Sequence, residues 1–512
     1  MHCLICLVLV FLCFNFSIPK PALAEDPDTQ KSNKQVTISN LKNAITGIQL
    51  QQDDNSSKIV LELMYPLSKM PAIMATLETV SFEIDAEYNE NKRNKNEIWN
   101  LVNKKPKVEN KSLFEINSTG FIKTITWTNK TNKAIFEIKR PYYSPVNLQQ
   151  QEKPSALVIE FPRQYFNKET QEIKPGLTKH FIRTVNSRGP VTAHILEIDL
   201  SSNNISVGVG FPDKDKIKSK ETLSKIVKDN KAYAGINANY FDVKVGNPLG
   251  TLITDSTWLI GPVYDRVAIG FSKDNMVLID QVMLLGNATI HRGFRKKPFA
   301  MFEIDGLNIP PALYKKVGLF TLNWDKEIVL PKNKLGVVVK NDCIKTITDE
   351  KIEMPENGYV LVSDAKYILN FFKRKDCIDL KWETTPDWST VTEAVSGGPY
   401  LIKDREVFVD LQKQQFKFTK KDTYAPRSAI GIDDRERLFL IAVDGRRSGY
   451  SVGVTLDELA EMLKKLNLKT AINLDGGGST TLVIGEKIIN TLSERHERKI
   501  SNALLIFYKG KD

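Results

Sequence analysis

The sequence predicts an α+β protein: an N-terminal duplicated β-module followed by a mixed α/β domain. Three observations carry this expectation. Short runs of alternating apolar residues recur in two copies between residues 36 and 165. From Val191 onward, apolar strand-like runs end repeatedly in turns rich in Gly, Asn and Asp. Near the C-terminus, a helix signal leads into a buried strand and then into Asp475-Gly476-Gly477-Gly478-Ser479.

With 512 residues the chain is expected to hold two or three domains. Hydrophobic residues at 41% and charged residues at 26% are ordinary for a globular protein with a sizeable core. The formal net charge of +11 is spread along the chain without a dense basic block. That distribution argues against nucleic acid as a partner and is compatible with an anionic envelope polymer. Leu4 to Phe16 form a short apolar run, followed by Pro19, Pro21, Ala22-Leu23-Ala24 and Glu25. This is the pattern of a secretory signal over residues 1–24, although Met1-His2-Cys3 lacks a basic residue. Cleavage after Ala24 and an extracytoplasmic location (periplasm, cell envelope or secreted) are expected. No later run is long and apolar enough to span a bilayer. Of five cysteines, Cys343 and Cys377 remain after cleavage, either as a disulfide or as two separate thiols, and no Cys/His cluster has zinc spacing.

After a polar stretch at 25–35, a repeat begins. Its first copy holds Ile45-Thr46-Gly47-Ile48, Lys58 to Leu63, Tyr65-Pro66 and Val80 to Ile84. Its second holds Ile122 to Ile125, Lys133 to Ile138, Arg140-Pro141 and Leu157 to Phe161. An offset of roughly 75 residues with preserved internal spacing indicates a duplicated unit of short strands. Glu87 to Ser112 reads as an Asn- and Lys-rich linker with at most a short helix around Ile98 to Val102, and Phe166 to Pro190 reads as a polar connector. A second domain is expected over 175–512. Strands are predicted at His194 to Leu200, Ile205 to Val209, Val267 to Phe271, Met276 to Ile279, Val337 to Val339, Tyr359 to Val362, Leu438 to Val443, Thr470 to Leu474 and Ala503 to Phe507, and a helix at Glu221 to Lys228. Thr455 and Glu458 have capping-box spacing, and Leu456, Leu459, Ala460, Leu463 and Leu466 share one helical face.

Four polar turns fall at strand ends, around Asn239, Gly397-Gly398, Asp444-Gly445 and Asp475-Gly476. Strand-end loops that cluster are where ligand sites usually lie. Glycine admits close backbone approach. Asp475 beside exposed amides and hydroxyls is equipped for a sugar, a phosphate or a metal. Asn237 and Asn239 offer paired donors and acceptors, and Tyr240 and Phe241 can stack on a sugar face.

The second repeat, through Ile122-Lys123-Thr124-Ile125-Thr126-Trp127, the Pro141 turn and Leu157 to Phe161, resembles the AMIN domain of bacterial envelope proteins. That resemblance implies docking of the 36–165 module to a cell-wall polymer. From about residue 175 onward the chain resembles the phosphodiester glycosidase family. The motifs are Asn237-Ala238-Asn239-Tyr240-Phe241, Ser396-Gly397-Gly398-Pro399, Pro426-Arg427-Ser428-Ala429-Ile430-Gly431, Asp444-Gly445-Arg446, Ser451-Val452-Gly453-Val454-Thr455 and Asn473 to Ser479, in the family's order. Ala238 stands where glycine is common in the family. The resemblance implies hydrolysis of a sugar-1-phosphodiester, with N-acetylglucosamine as one candidate sugar.

Residue chemistry fits that implication. Arg427 can hold a phosphate through two parallel hydrogen bonds. The amides of Gly397, Gly398, Gly476, Gly477 and Gly478 can form an anion nest, with Ser479 beside them. Asp475 and Asp444 are the candidate catalytic carboxylates, as acid, base or nucleophile. Either can instead bind a divalent metal or cap its turn. His496 and Arg498 lie in a charged loop, where His496 is a candidate acid or a solvated side chain. Ser479 has no evident His-Asp partner, which argues against a serine hydrolase. Two other functions fit the same loops: a non-catalytic role in polysaccharide binding and exopolysaccharide assembly, and a metal-dependent phosphodiesterase that breaks the P–O bond.

Overall fold

The computed structural model describes residues 42–88, 107–110, 113–213, 217–293, 297–416 and 422–510. The expected leader, the polar stretch after it and the expected helix at 98–102 lie outside these residues. The described fold is a β-rich α+β architecture with only short helices.

Residues 43–162 form two sheets around one core that includes Ile59, Leu61, Phe82, Trp127, Phe136, Ile159 and Phe161. Alternation drives this: the Lys133–Lys139 strand buries every second side chain. The two repeats do not close on themselves. The Ala44–Gln52 and Ser56–Leu63 hairpin takes its next strand, Ser155–Pro162, from the second copy. The Thr124–Lys130 and Lys133–Lys139 hairpin takes Thr79–Ile84 from the first. Leu61 faces Leu157, and Phe136 faces Phe82. The repeat is therefore a pseudo-symmetric exchange of third strands. The expected linker also contributes strands at both ends, Glu87–Tyr88 and Lys107–Asn110.

The expected connector at 166–190 is a β-hairpin, Phe166–Lys174 with Leu177–Asn186. Its first strand is exposed along most of its length, which is why its composition is polar. His180 ties the hairpin inward, contacting Thr170 Oγ1 at 3.0 Å and Glu197 Oε2 at 2.8 Å. The hairpin opens an eight-stranded antiparallel sheet that continues through Gly189–Ile198, Leu438–Val443, Arg427–Asp433, Leu468–Asn473, Tyr400–Lys403 and Glu406–Val407. The Leu456–Lys465 helix covers one face, burying Leu456, Leu459, Ala460, Met462 and Leu463.

Two five-stranded sheets complete this part. One runs Ile205–Gly210, Ala503–Tyr508, Ala234–Asn237, Leu482–Ile484, Lys487–Ile488. The other runs Thr257–Ile260, Leu252–Thr254, Val391–Ser396, Ala268–Ser272, Val277–Asp280. Between the last strand of that order and Val391 the chain builds a further eight-stranded sheet over residues 283–385, with its own core around Phe302, Leu319, Val337, Val339 and Leu361. Cys343 and Cys377, in facing register there, form a disulfide.

Candidate functional site

The strands Arg427–Asp433, Leu438–Val443 and Leu468–Asn473 bring their neighbouring turns to one end of the eight-stranded sheet, because Arg427 pairs with Val443 and Ala429 with Asn473. The helix before the last of these strands is capped as expected: Glu458 N donates to Thr455 Oγ1, and Thr455 N to the Glu458 carboxylate, each at 3.1 Å. Backbone bonds then sew the Asp475 turn to its neighbours. Leu474 N donates to Ser428 O at 2.8 Å, Asp475 N to Ala238 O at 3.1 Å, and Gly477 N to Pro426 O at 2.9 Å. Gly477 has a φ of 63°, in the region that favours glycine. The Gly397 turn closes on the same place: Gly398 N donates to Asn473 O at 2.6 Å. A Cβ on Gly397 would lie 2.5 Å from that same carbonyl oxygen.

At the centre stands Asp475. Burial pushes its carboxyl up to about 6, opposed by the Ser479 hydroxyl, the Arg498 charge and the Gly476 amide. Beside it, the Tyr240 hydroxyl donates to Gly398 O at 3.0 Å and accepts from Asn473 Nδ2 at 2.7 Å. Burial raises the Tyr240 phenol well above its usual range; the Asp475 charge adds to this, while Arg266 and Arg427 oppose it. Tyr240 thus feels Asp475, Arg266 and Arg427, whereas the charge acting on Asp475 itself is that of Arg498. Asn473 Oδ1, Thr480 Oγ1 and Thr481 Oγ1 are buried without a hydrogen-bond partner among the described residues. Orphaned polar atoms of this kind are rare in folded proteins and mark places where a polar ligand or water belongs.

The other residues singled out in the sequence fall as follows. Arg427 is buried and lies under Gly476, whose missing Cβ would sit 3.9 Å from Arg427 Cδ. Its guanidinium already holds two backbone carbonyls, Thr423 O at 2.6 Å and Val454 O at 3.3 Å. Asn237 donates to Asp475 O and accepts from Ser428 Oγ at 2.7 Å and Thr481 N at 3.1 Å. Asn239 donates to Leu249 O and Thr251 O, and accepts from Ser396 N at 3.1 Å and Asn502 Nδ2 at 3.0 Å. Both asparagines thus spend their amides on the scaffold. The expected amide nest is largely closed, because Gly397 N is given to Val267 O, Gly398 N to Asn473 O and Gly477 N to Pro426 O. Gly478 runs beneath the Arg498–Glu494 ion pair, whose side-chain ends a Cβ there would displace. Ser479 is buried. Phe241 turns away to pack with the cluster around Leu223 and Leu505. His496 is exposed.

Asp444 is fully buried. Its Oδ2 contacts His194 Nε2 at 3.1 Å and accepts from Tyr450 OH at 3.0 Å. Its Oδ1 accepts from Thr491 N at 2.9 Å and Asn490 Nδ2 at 3.4 Å. Asn490 also donates to Thr480 O at 3.1 Å, so Asp444 braces the turn that follows Asp475. Among the described residues, no group of three or more His, Cys, Asp or Glu side chains is placed to hold a metal ion.

Sequence reading did not single out Asn473, His194, Asn490 or Arg266 as site residues. Asn473 stands inside a motif already recognised. His194 and Arg266 come from parts of the chain far away in sequence, Asn490 from the segment that follows the Asp475 turn, and no local pattern marks them.

A half-buried carboxyl, a phenol and guanidinium groups on strand-end loops define a polar site suited to an anionic, hydroxyl-bearing ligand. Residues 333–507 match the phosphodiester glycosidase family, so the C-terminal part of the chain carries a phosphodiester glycosidase domain. Among curated relatives, N-acetylglucosamine-1-phosphodiester alpha-N-acetylglucosaminidase of Bos taurus is 33% identical over 130 residues, 24% of this chain and 23% of that protein. The Homo sapiens enzyme of the same name is 24% identical over 158 residues, 28% of this chain and 29% of that protein. The chain thus spans 29% or less of the length of these relatives. Among solved structures, a hypothetical protein from Synechocystis shares the fold, with a TM-score of 0.61 at 19% identity, covering 91% of this chain and 80% of that one.

Proposed function

We propose that this chain hydrolyses a sugar-1-phosphodiester, with an N-acetylglucosamine-1-phosphodiester as the first substrate to try, in glycans of the cell envelope or an exopolysaccharide. The observation that carries the reading is Asp475: a carboxyl pushed up to about 6, facing the Ser479 hydroxyl and the Arg498 charge, with the Tyr240 phenol in its field. A carboxyl with that value is poised for proton transfer near neutral pH. In the proposed reaction water attacks the anomeric carbon, the C–O bond breaks, and the phosphomonoester departs with the bridging oxygen. The departing anion needs countercharge more than a proton, so Asp475 serves as the base that takes a proton from water. Asp444, sealed and saturated with donors, positions the turn. Sequence relatives that carry the matching activity in their names support the reading.

Hydrolysis in oxygen-18 water tests it. Label is expected in the sugar hemiacetal; label in the phosphate would mean P–O cleavage and would overturn the proposal.

We also infer that the protein acts outside the cytoplasm, on the strength of the leader pattern over residues 1–24. No described helix is long and apolar enough to cross a membrane. The 43–162 sandwich is proposed as the part that docks to a cell-wall polymer.

A further inference from the structure

Arg266 is the most anomalous side chain near the site. It lies outside the segment that matches the family and outside every motif recognised in the sequence. Its guanidinium carbon sits 4.2 Å from the ring centre of Phe416, 5.1 Å from that of Tyr264 and 5.4 Å from that of Tyr240. Its Nε is buried with no hydrogen-bond partner, and among the described residues the guanidinium makes no ion pair. The chain fixes it at the site: Val267, the next residue, gives its carbonyl to Gly397 N at 2.9 Å and to the Ser396 hydroxyl at 3.4 Å, and its amide to Gln414 Oε1 at 3.2 Å. Arg266 therefore stands against the Gly397-Gly398 turn, and Arg427 stands under Gly476. The phenol of Tyr240 feels both charges.

A desolvated cation without an anion is expensive, and three aromatic faces recover only part of the lost hydration. Burial accordingly lowers the Arg266 guanidinium from its ordinary value. Arg427 is different, because two of its donors already hold backbone. Of the two, Arg266 keeps its planar fork free of partners among the described residues, and that fork matches two phosphoryl oxygens.

We propose that Arg266 is the principal phosphate-binding residue of this site, receiving the diester's phosphoryl oxygens against the Tyr240–Phe416 wall while Arg427 mainly holds the turns together. This rests on the reading of the pocket as a phosphodiester site. The site is then electrostatically incomplete until an anion enters.

The test uses the full chain and inorganic phosphate, with no turnover required. Phosphate is expected to raise the melting temperature of the wild type. Arg266→Met should melt higher than wild type without phosphate, because it removes the uncompensated charge, and should lose the phosphate-dependent rise. Arg405→Met, which removes an exposed partner of Asp434, should keep that rise. If Arg266→Met does not fold, Arg266→Lys carries the test by calorimetry, with phosphate affinity expected to fall about tenfold at an unchanged circular dichroism spectrum. Wild-type phosphate binding in either folded variant overturns the assignment. If phosphate binding depends on Arg266 but the wild type cleaves no sugar-1-phosphodiester, the anion subsite stands and the proposed reaction falls.

Discussion

Burial pushes the Asp475 carboxyl up to about 6 because the Ser479 hydroxyl, the Arg498 charge and the Gly476 amide offset only part of its lost hydration. This has a consequence for stability that is independent of catalysis. A carboxyl raised from its ordinary value to about 6 stabilises the fold when protonated. That contribution is fully present below about pH 4 and is lost as pH rises through about 6. The gap corresponds to roughly 3 kcal/mol at full strength. Asp475→Asn cannot titrate. Its melting temperature relative to wild type is therefore expected to climb between pH 4 and pH 7, and parallel curves would show that the carboxyl is not desolvated. At this scale the sequence pointed to residues that the fold brings near one another and said less about what each one holds. Asp475, Arg427, Asn237, Asn239 and Asp444 all lie in or directly behind the site. Yet the asparagines and Asp444 turn out to hold scaffold, because donors and acceptors from remote loops reach them first. Hydrogen-bond partners such as Asn490 for Asp444, or Asn502 for Asn239, are set by tertiary approach and leave no mark on local composition.

Elements were legible where burial is one-sided or complete. The Thr455–Glu458 capping box and the buried face of the Leu456–Lys465 helix follow from spacing alone. The Leu438–Val443 strand, buried along its whole length, reads as an apolar run. Reading failed where an element is exposed on both sides. The Phe166–Lys174 strand carries Asn, Lys, Glu, Thr and Gln, so it looked like a connector, and only pairing with the Leu177–Asn186 strand reveals it. The strand exchange between the two repeats was also invisible. Leu157 packs as well beside Leu61 as a strand from its own copy would, and periodicity does not say which copy supplies the partner. Of the 283–385 sheet, only Val337 to Val339 and Tyr359 to Val362 read as strands in the sequence, and nothing there says that the sheet interrupts another.

At the scale of the whole molecule, the sandwich and the C-terminal part meet at the loop after Asp444. Gly449, in the loop after Asp444, lies so near the Pro141 carbonyl that a Cβ would come within 3.2 Å of it. A chain of ring and cation contacts runs from Phe161 and Arg140 through Tyr143, Arg183 and Phe181 to His194, which touches Asp444. The docking role proposed for the sandwich would thus hold a bound polymer on the same compact unit as the Asp475 loops. The full chain is expected to sediment with purified cell-wall polymer, whereas a fragment beginning at Phe166 should not. Equal retention of both would remove the docking role.

The most direct measurement is steady-state turnover of an N-acetylglucosamine-1-phosphodiester by the full chain and by Asp475→Asn, with folding checked by circular dichroism. A general base of this kind contributes about 10²–10⁴-fold. The variant is therefore expected to lose at least two orders of magnitude in kcat, and the wild-type rate to rise with pH through about 6. A folded Asp475→Asn variant that turns over at the wild-type rate would contradict the account.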